Sequence, residues 1–509
     1  MRPLAVVNVN VIPMDGGHSP QGNAEQSAAA ALHVYPEQTV VVRDGRIVSV
    51  TPSATTTLSP DTLQIEGRGL FLIPGLADMN INLAGYDQPA ALSLLLANGV
   101  TTARNFGGRE EHLDWRGQIA RGELDGPTLL TSGPVPAPSS VLGGAAHFIR
   151  PLMLIGLAAL LFGVGWVTLR TARGRYGFPR PTRRSLAGVA FAALAGSTYF
   201  ALWVFGLPDV AGPYVALIDS AQEAERAPSA QAQAGFDFTA VAAELPPALY
   251  DALLDGAAGT GVRPAGEIPW GVGPLIALTR GGQDLVRVDQ LLPLMQRDFD
   301  PAHPYAAYEL DTTSAGDIAR LVATSRASIG SGLFLARQVA LQARDVDAIL
   351  ERPETVYLPD EVLRSWSREE NIYAARYGEQ AEQMKAYAAT LAELVPALQE
   401  AGALLVAGSS AGAPGVVWGF DLHSELEALV DAGMTPYQAL AAATSRAAES
   451  VGHTGEWGVI SPGARADLVL LGSNPLEDIS RVRDIRGVMA AGRWHSRTDL
   501  DGLLATLER

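Results

Sequence analysis

The chain contains no cysteine. That excludes disulfides, thiolate zinc sites, iron–sulfur clusters and a cysteine nucleophile. Lysine is nearly as scarce: Lys385 is the only one, so arginine carries the basic charge. Basic charge is itself in deficit, with a net charge of −17 and a pI of about 4.9. An acidic chain repels phosphate backbones, so nucleic acid is not expected as a partner. The N-terminus reads without a secretory signal: the apolar run after Met1-Arg2-Pro3 is short and no small-residue cleavage site follows it. What is present is 509 residues, 48% of them hydrophobic, enough for a large core and one to three domains.

Both ends of the chain read as β-structure. Leu4–Ile12 is apolar and β-branched, and Thr39–Val42 and Ile47–Val50 flank Asp44-Gly45, the turn pair of a hairpin. Ala466–Leu471 and Gly487–Ala491 repeat the pattern near the C-terminus. Between the ends, short apolar strands alternate with helical stretches. Phe71–Ile73, Thr101–Arg104, Thr128–Thr131, Phe236–Val241 and Ala403–Ala407 read as strands. Leu92–Ala97, Tyr250–Ala257, Asp317–Thr324 and Glu425–Ala432 read as helices, and Ser365–Ala401 as a long helical stretch. Such alternation predicts an α/β fold with a parallel barrel as the leading architecture.

One segment departs from that pattern. Pro151–Leu169 runs 19 residues without a charge and Leu186–Leu207 runs 22. As helices, each spans roughly 30 Å, the thickness of a bilayer's hydrocarbon core. Trp166, Trp203 and Phe205 lie near the ends of these runs, and the connector holds six arginines and no acid. The expectation is a two-helix membrane hairpin at 150–207 and a two-pass membrane location, with the side that the barrel faces left open.

The motifs between and around these elements resemble a known family. Phe71–Leu83 (FLIPGLADMNINL), Ala97–Asn105 (ANGVTTARN) and Arg121–Pro134 (RGELDGPTLLTSGP) are similar to the first three barrel strands of amidohydrolases related to imidazolonepropionase and prolidase-type enzymes. Ala234–Tyr250, Pro264–Gly273, Ala407–Leu429 and Met434–Arg493 resemble later family segments, so the likeness covers residues 1–147 and 208–497. It implies a TIM-like (β/α)8 barrel with a small β-sandwich made from both chain ends. The expected division is 1–70 sandwich, 71–149 barrel, 150–207 hairpin, 208–457 barrel and 458–509 sandwich. The implied chemistry is hydrolysis at a carbonyl carbon, often of C–N bonds, with zinc or another divalent metal activating water.

The residues that would carry this chemistry are replaced. Where the resemblance implies two metal-binding histidines on the first strand, the chain has Asn80 and Asn82. Their spacing of two still points both side chains to one face. The bridging lysine's position holds Ala240, preceded by Thr239. Later histidine positions hold Glu267 and Val288, or Gln290 if the alignment slips by two, and the aspartate position holds Ser410. Imidazole and carboxylate ligands are thus reduced to one carboxylate and weak neutral oxygens, so no cofactor is expected. A weak Ca²⁺ or Mg²⁺ site on Glu267 is the alternative. His423 matches a helix start in the family and reads as structural or supporting. Ser409 and Ser410 do not form a GxSxG elbow. Glu267 with Asp289 is a candidate acid–base carboxylate pair.

Together these readings predict a membrane-anchored, catalytically degenerate amidohydrolase relative that binds a ligand or partner through Asn80, Asn82, Glu267, Ser410 and His423. Its expected partners are the lipid bilayer, a small-molecule or apolar ligand, and a membrane protein. Two alternatives stand beside it: an active hydrolase of amide, peptide or cyclic amide bonds with a rearranged site, and a subunit of a membrane complex.

Overall fold

The computed structural model describes residues 3–16, 34–83, 88–138, 214–297 and 309–508. The chain divides into two compact units, Met1–Pro136 with Ser220–Arg509, and Ala137–Asp219. The expected hairpin at 150–207 lies outside the described residues, within the span of the second unit. Among the described residues no helix is long and apolar enough to cross a membrane.

Strands from both chain ends build one sheet. β1 (Leu4–Val11), β2 (Tyr35–Arg43), β3 (Arg46–Pro52), β4 (Leu63–Glu66) and β5 (Phe71–Pro74) come from the N-terminal end. The hairpin between β2 and β3 closes at Asp44 and Gly45, whose φ values of 50° and 78° are both left-handed. That geometry suits the right-handed twist of paired strands, and Asp-Gly is the sequence that adopts it most readily. Further along the chain come the barrel strands β6 (Leu76–Ile81), β7 (Val100–Asn105) and β8 (Thr128–Thr131). Two three-residue strands follow, β9 (Val135–Ala137) and β10 (Val215–Leu217). The barrel continues with β11 (Phe238–Val241), β12 (Arg263–Gly266), β13 (Asp284–Leu285), β14 (Ser328–Gly330) and β15 (Leu404–Val406). The chain then supplies β16 (Leu468–Leu471), β17 (Ile485–Ala490) and β18 (Arg493–Ser496).

The end sheet has the order β18-β17-β16-β5-β1-β2-β3, with β4 also paired to β1. Phe71–Pro74, read from the sequence with the barrel, instead lies between β1 and β16. The passage from sheet to barrel therefore falls at Gly75, because the two apolar runs on either side of it belong to different sheets. Val6, Val9, Val40, Ile47, Leu72, Ile460, Leu468 and Met489 pack together as the sheet's apolar core. This burial joins the two chain ends, at roughly 1.5–3 kcal/mol for each fully buried aliphatic side chain.

The barrel strands fall into two parallel runs, β6-β7-β8 and β11-β12-β13-β14-β15. Two bridges join them. Ser132 pairs in parallel with Phe238, linking β8 to β11, and Ile81 pairs with Ala411, linking β6 to the segment after β15. Hydrogen bonds from Met79 N to Ala407 O (3.0 Å) and Ser410 N to Asn80 O (2.8 Å) complete the second seam. Eight parallel strands thus close on themselves, and helices such as Gln88–Ala97, Glu110–Arg121, Pro247–Ala257 and Phe420–Asp431 connect or flank them. In such a barrel the strand C-termini form the face that carries functional groups. The long helical stretch expected over Ser365–Ala401 is three helices, Asp360–Ser365, Ile372–Tyr377 and Ala381–Glu400.

Candidate active site

At the seam between β6 and β15 the polar groups interlock without a net charge pair. The Ser409 hydroxyl donates to Asp78, and Ser409 N donates to the same carboxyl at 2.9 Å. Asp78 is fully buried, and burial raises its pKa to about 7 against the opposing pull of the Ser409 hydrogen bonds. Two residues along, Asn80 Nδ2 donates to Ser410 Oγ at 2.8 Å. Ser410 has φ 63°, a left-handed conformation that costs a side-chain-bearing residue roughly 1–2 kcal/mol. Its N–H bond to Asn80 O and the Asn80 side-chain contact hold it there. Asn82 is exposed; its N–H donates to Ala411 O (2.8 Å) and its carbonyl accepts from Trp418 Nε1 (3.2 Å).

Across the mouth the groups are charged. β12 ends in Gly266, whose φ is 150° and where a Cβ would lie 2.3 Å from Val241 O. Only glycine fits, and the next residue, Glu267, emerges at the strand's C-terminal end. From the end of β13, Arg287 reaches Glu267 Oε1 through Nη2 (3.2 Å). It also grips Asp289 with two bonds, Nε to Oδ1 (3.0 Å) and Nη2 to Oδ2 (3.2 Å). Burial lowers the Arg287 pKa, but Asp289 and Glu267 more than offset that, and the net shift is upward. Tyr373, from the helix Ile372–Tyr377, is pushed up to about 12 by burial, with Arg287 pulling the other way. The phenol therefore keeps its proton. Gln290 Oε1 accepts from Ile268 N at 2.7 Å, beside Glu267.

The remaining expected positions separate from this mouth. Ala240 is buried and offers no donor atom. Val288 is fully buried at the start of the turn of helix Val288–Leu294, so of the two alignments only Gln290 carries a polar group to the Glu267 side. His423 is buried, and its Nε2 donates to Asn98 O at 2.9 Å. Asn98 precedes β7, so the ring braces packing before that strand begins. Burial drops the His423 pKa to about 3, leaving the ring neutral. Sequence reasoning did not single out Arg287, Tyr373 or Arg104. The run Val286-Arg287-Val288-Asp289 was the available signal: alternating residues just past a strand put Arg287 and Asp289 together.

The donor set does not fit the divalent metals that the resemblance implies. Asn80 and Ser410 offer only neutral oxygens, and Glu267 and Asp289 share a guanidinium that already neutralises them. A metal cation at Glu267 would face that positive charge at close range. Among the described residues no group of three or more histidine, aspartate and glutamate side chains is arranged to hold a metal.

Residues 380–495 match the family model described as the Amidohydrolase family. The whole chain is similar in fold to solved amidohydrolase-type structures. A putative prolidase from Bifidobacterium longum is 20% identical, with 99% of each chain covered and a TM-score of 0.60. A bottromycin amidohydrolase is 19% identical over 100% of this chain and 91% of its own, with a TM-score of 0.65. Molinate hydrolase is 18% identical over 99% and 96%, with a TM-score of 0.61. No curated protein matches the chain. The family match is confined to residues 380–495, and the likeness to these solved structures is one of fold over the whole chain.

These findings correct the expectation of a membrane-anchored, degenerate binding protein. Against the two-pass location, no described helix is long and apolar enough to cross a membrane; the two apolar runs themselves lie outside the described residues. The chains that share the fold are named as hydrolases. The hydrolase alternative fits these findings better than the binding-only reading.

Proposed function

We propose that the protein hydrolyses C–N bonds at a carbonyl carbon, in an amide, peptide or cyclic amide, with an arginine-bridged carboxylate pair at the barrel mouth. The observation that carries this reading is the convergence of Glu267, Arg287 and Asp289 at the C-terminal ends of β12 and β13. Structural neighbours named prolidase, molinate hydrolase and amidohydrolase support the reaction class. Glu267 takes a proton from water as the water oxygen attacks the carbonyl carbon. The carbonyl oxygen gathers negative charge facing the Arg287 guanidinium. Asp289 fixes the guanidinium's plane, and the protonated Tyr373 keeps a neutral O–H beside it. The proton then passes from Glu267 to the leaving nitrogen as the C–N bond breaks. One water is consumed, and a carboxylic acid and an amine are released.

The test is amine release by the purified full chain from N-acyl amino acids, dipeptides and cyclic imides, with and without chelator treatment. Turnover is expected to survive chelation, and Glu267→Gln to lower kcat/KM by on the order of 100-fold or more. A Glu267→Gln protein that keeps its activity, or no turnover of any of these compounds, would overturn the reading.

A further inference from the structure

Arg104 is a buried cation that no described carboxylate pairs in a salt bridge. The residue is 5% exposed, on β7. Among the described residues no carboxylate forms a salt bridge with it, no acceptor hydrogen-bonds it, and its Nε is buried without a partner. Its guanidinium carbon instead lies 4.6 Å from the ring centre of Phe238 and 5.2 Å from that of Phe106. Asp284 is near enough to oppose the downward pull of burial on Arg104, yet it is engaged elsewhere. It pairs with Arg263 at 3.1 Å and accepts from Ser328 N at 2.9 Å.

Topology puts this group inside the barrel. Arg104, Phe238 and Asp284 belong to β7, β11 and β13, the second, fourth and sixth strands of the closed order. Side chains from alternate strands meet as a layer in a barrel's interior. The register pairs Asp78 with Ala103 and Ile81 with Asn105 across an irregularity, so Arg104 stands level with Met79 and Asn80. A cation–π contact is worth about 0.5–2 kcal/mol. The penalty for leaving a buried charge unpaired is larger, at several kcal/mol. The aromatic rings alone do not balance it, whereas a bound anion does.

We propose that Arg104 is the anion-recognition residue of the barrel, and that the substrate is a small molecule carrying a carboxylate that docks on its guanidinium between Phe106 and Phe238. A planar carboxylate matches the two-pronged guanidinium, and the rings flank it with apolar surface. This substrate class rests on the hydrolase reading above, but the site itself is a binding claim and is tested as one.

The experiment is calorimetric titration of the full chain with N-acetylglycine and, separately, with its uncharged N-methylamide. The carboxylate is expected to bind at least tenfold more tightly than the amide. Arg104→Met is expected to erase that preference while retaining a cooperative thermal transition, and Arg104→Lys to keep part of it. Equal binding of the two probes, no saturable carboxylate binding, or a preference that survives in Arg104→Met would each overturn the proposal. If Arg104→Met does not fold, the wild-type comparison of the two probes still decides. Carboxylate binding without turnover of any amide would sink the hydrolase reading and leave the anion site standing. Turnover without carboxylate preference would do the reverse.

Discussion

The barrel mouth has two sides built on different physics. On the β6 and β15 side, Asp78, Asn80, Ser409 and Ser410 are buried and joined by short neutral hydrogen bonds. On the β12 and β13 side, Glu267 and Asp289 keep 38% and 36% of their side-chain surface exposed, with Arg287 between them. A buried neutral network fixes geometry but has little reach toward a ligand. A half-exposed charged cluster can meet water and substrate, and its charges are worth more where solvent is partly excluded. The same fold thus supports a rigid brace on one side and candidate chemistry on the other.

The largest expected effect breaks or confirms that division directly. Arg287→Met removes the guanidinium and leaves two carboxylates facing each other without a counter-charge. On the best substrate found for the wild type, kcat/KM should fall by roughly 10²–10³, the usual loss for one electrostatic group at a developing oxyanion. Asn80→Ala should cost much less than that. Steady-state kinetics on both variants make the comparison. Equal losses would mean that the neutral side also meets the reacting atoms, and the division would fail.

How much of this was legible depends on what each residue needs from its neighbours. The β2–β3 hairpin was readable because Asp44-Gly45 specifies its own turn. The seam positions Asn80 and Ser410 were found through the family resemblance of the segments that carry them, and strand alternation added only that Asn80 and Asn82 share a face. β13 and β14 span two and three residues, too short to show a period, and their register comes only from the strands beside them. Glu267 and Asp289 were paired from the sequence as a candidate, but Arg287, which makes them a unit, was missed. A lone arginine past a strand is common, and its meaning depends on residues 20 positions away in the chain. Arg104 was hidden more deeply. Within a match to a family strand it read as pattern, and only the folded barrel reveals that no described carboxylate forms a salt bridge with it.

A smaller effect separates the two sides by pH. Asp78 has its pKa raised from 3.8 to about 7 by burial, so between those values the folded chain holds a proton that the unfolded chain gives up. Its contribution to stability therefore declines as pH rises through that window and is flat above it. His423 and His112 work in the opposite sense. Their folded values near 3 and 4 lie below the ordinary 6.5, so their contributions are present above pH 6.5 and are lost as pH falls. Asp78→Asn should remove the decline alone. Plotted against pH, its stability relative to wild type should climb across pH 4–7, by at most about 1.4 kcal/mol per unit, whatever constant offset the lost Ser409 contact adds. Urea unfolding at several pH values reads that slope. A difference that stays constant across the window would place Asp78 among ordinary ionised carboxylates.

The smallest effect concerns whether the neutral side is interlocked or merely adjacent. Asn80 Nδ2 and Ser410 Oγ lie 2.8 Å apart and come from opposite ends of the barrel sequence. Each alanine substitution alone also changes other contacts: Asn80→Ala strips a buried amide, and Ser410→Ala keeps the left-handed backbone while losing the hydroxyl. Only the double-mutant cycle isolates the pair. Its coupling should be about 1 kcal/mol, the net worth of a neutral hydrogen bond shielded from water, read from denaturant midpoints of the four proteins. A coupling near zero would mean that the closing seam is held by its backbone bonds alone. The left-handed Ser410 would then be positioned by Asn80 O and not by the side chain, and the neutral side would be a scaffold without a side-chain lock.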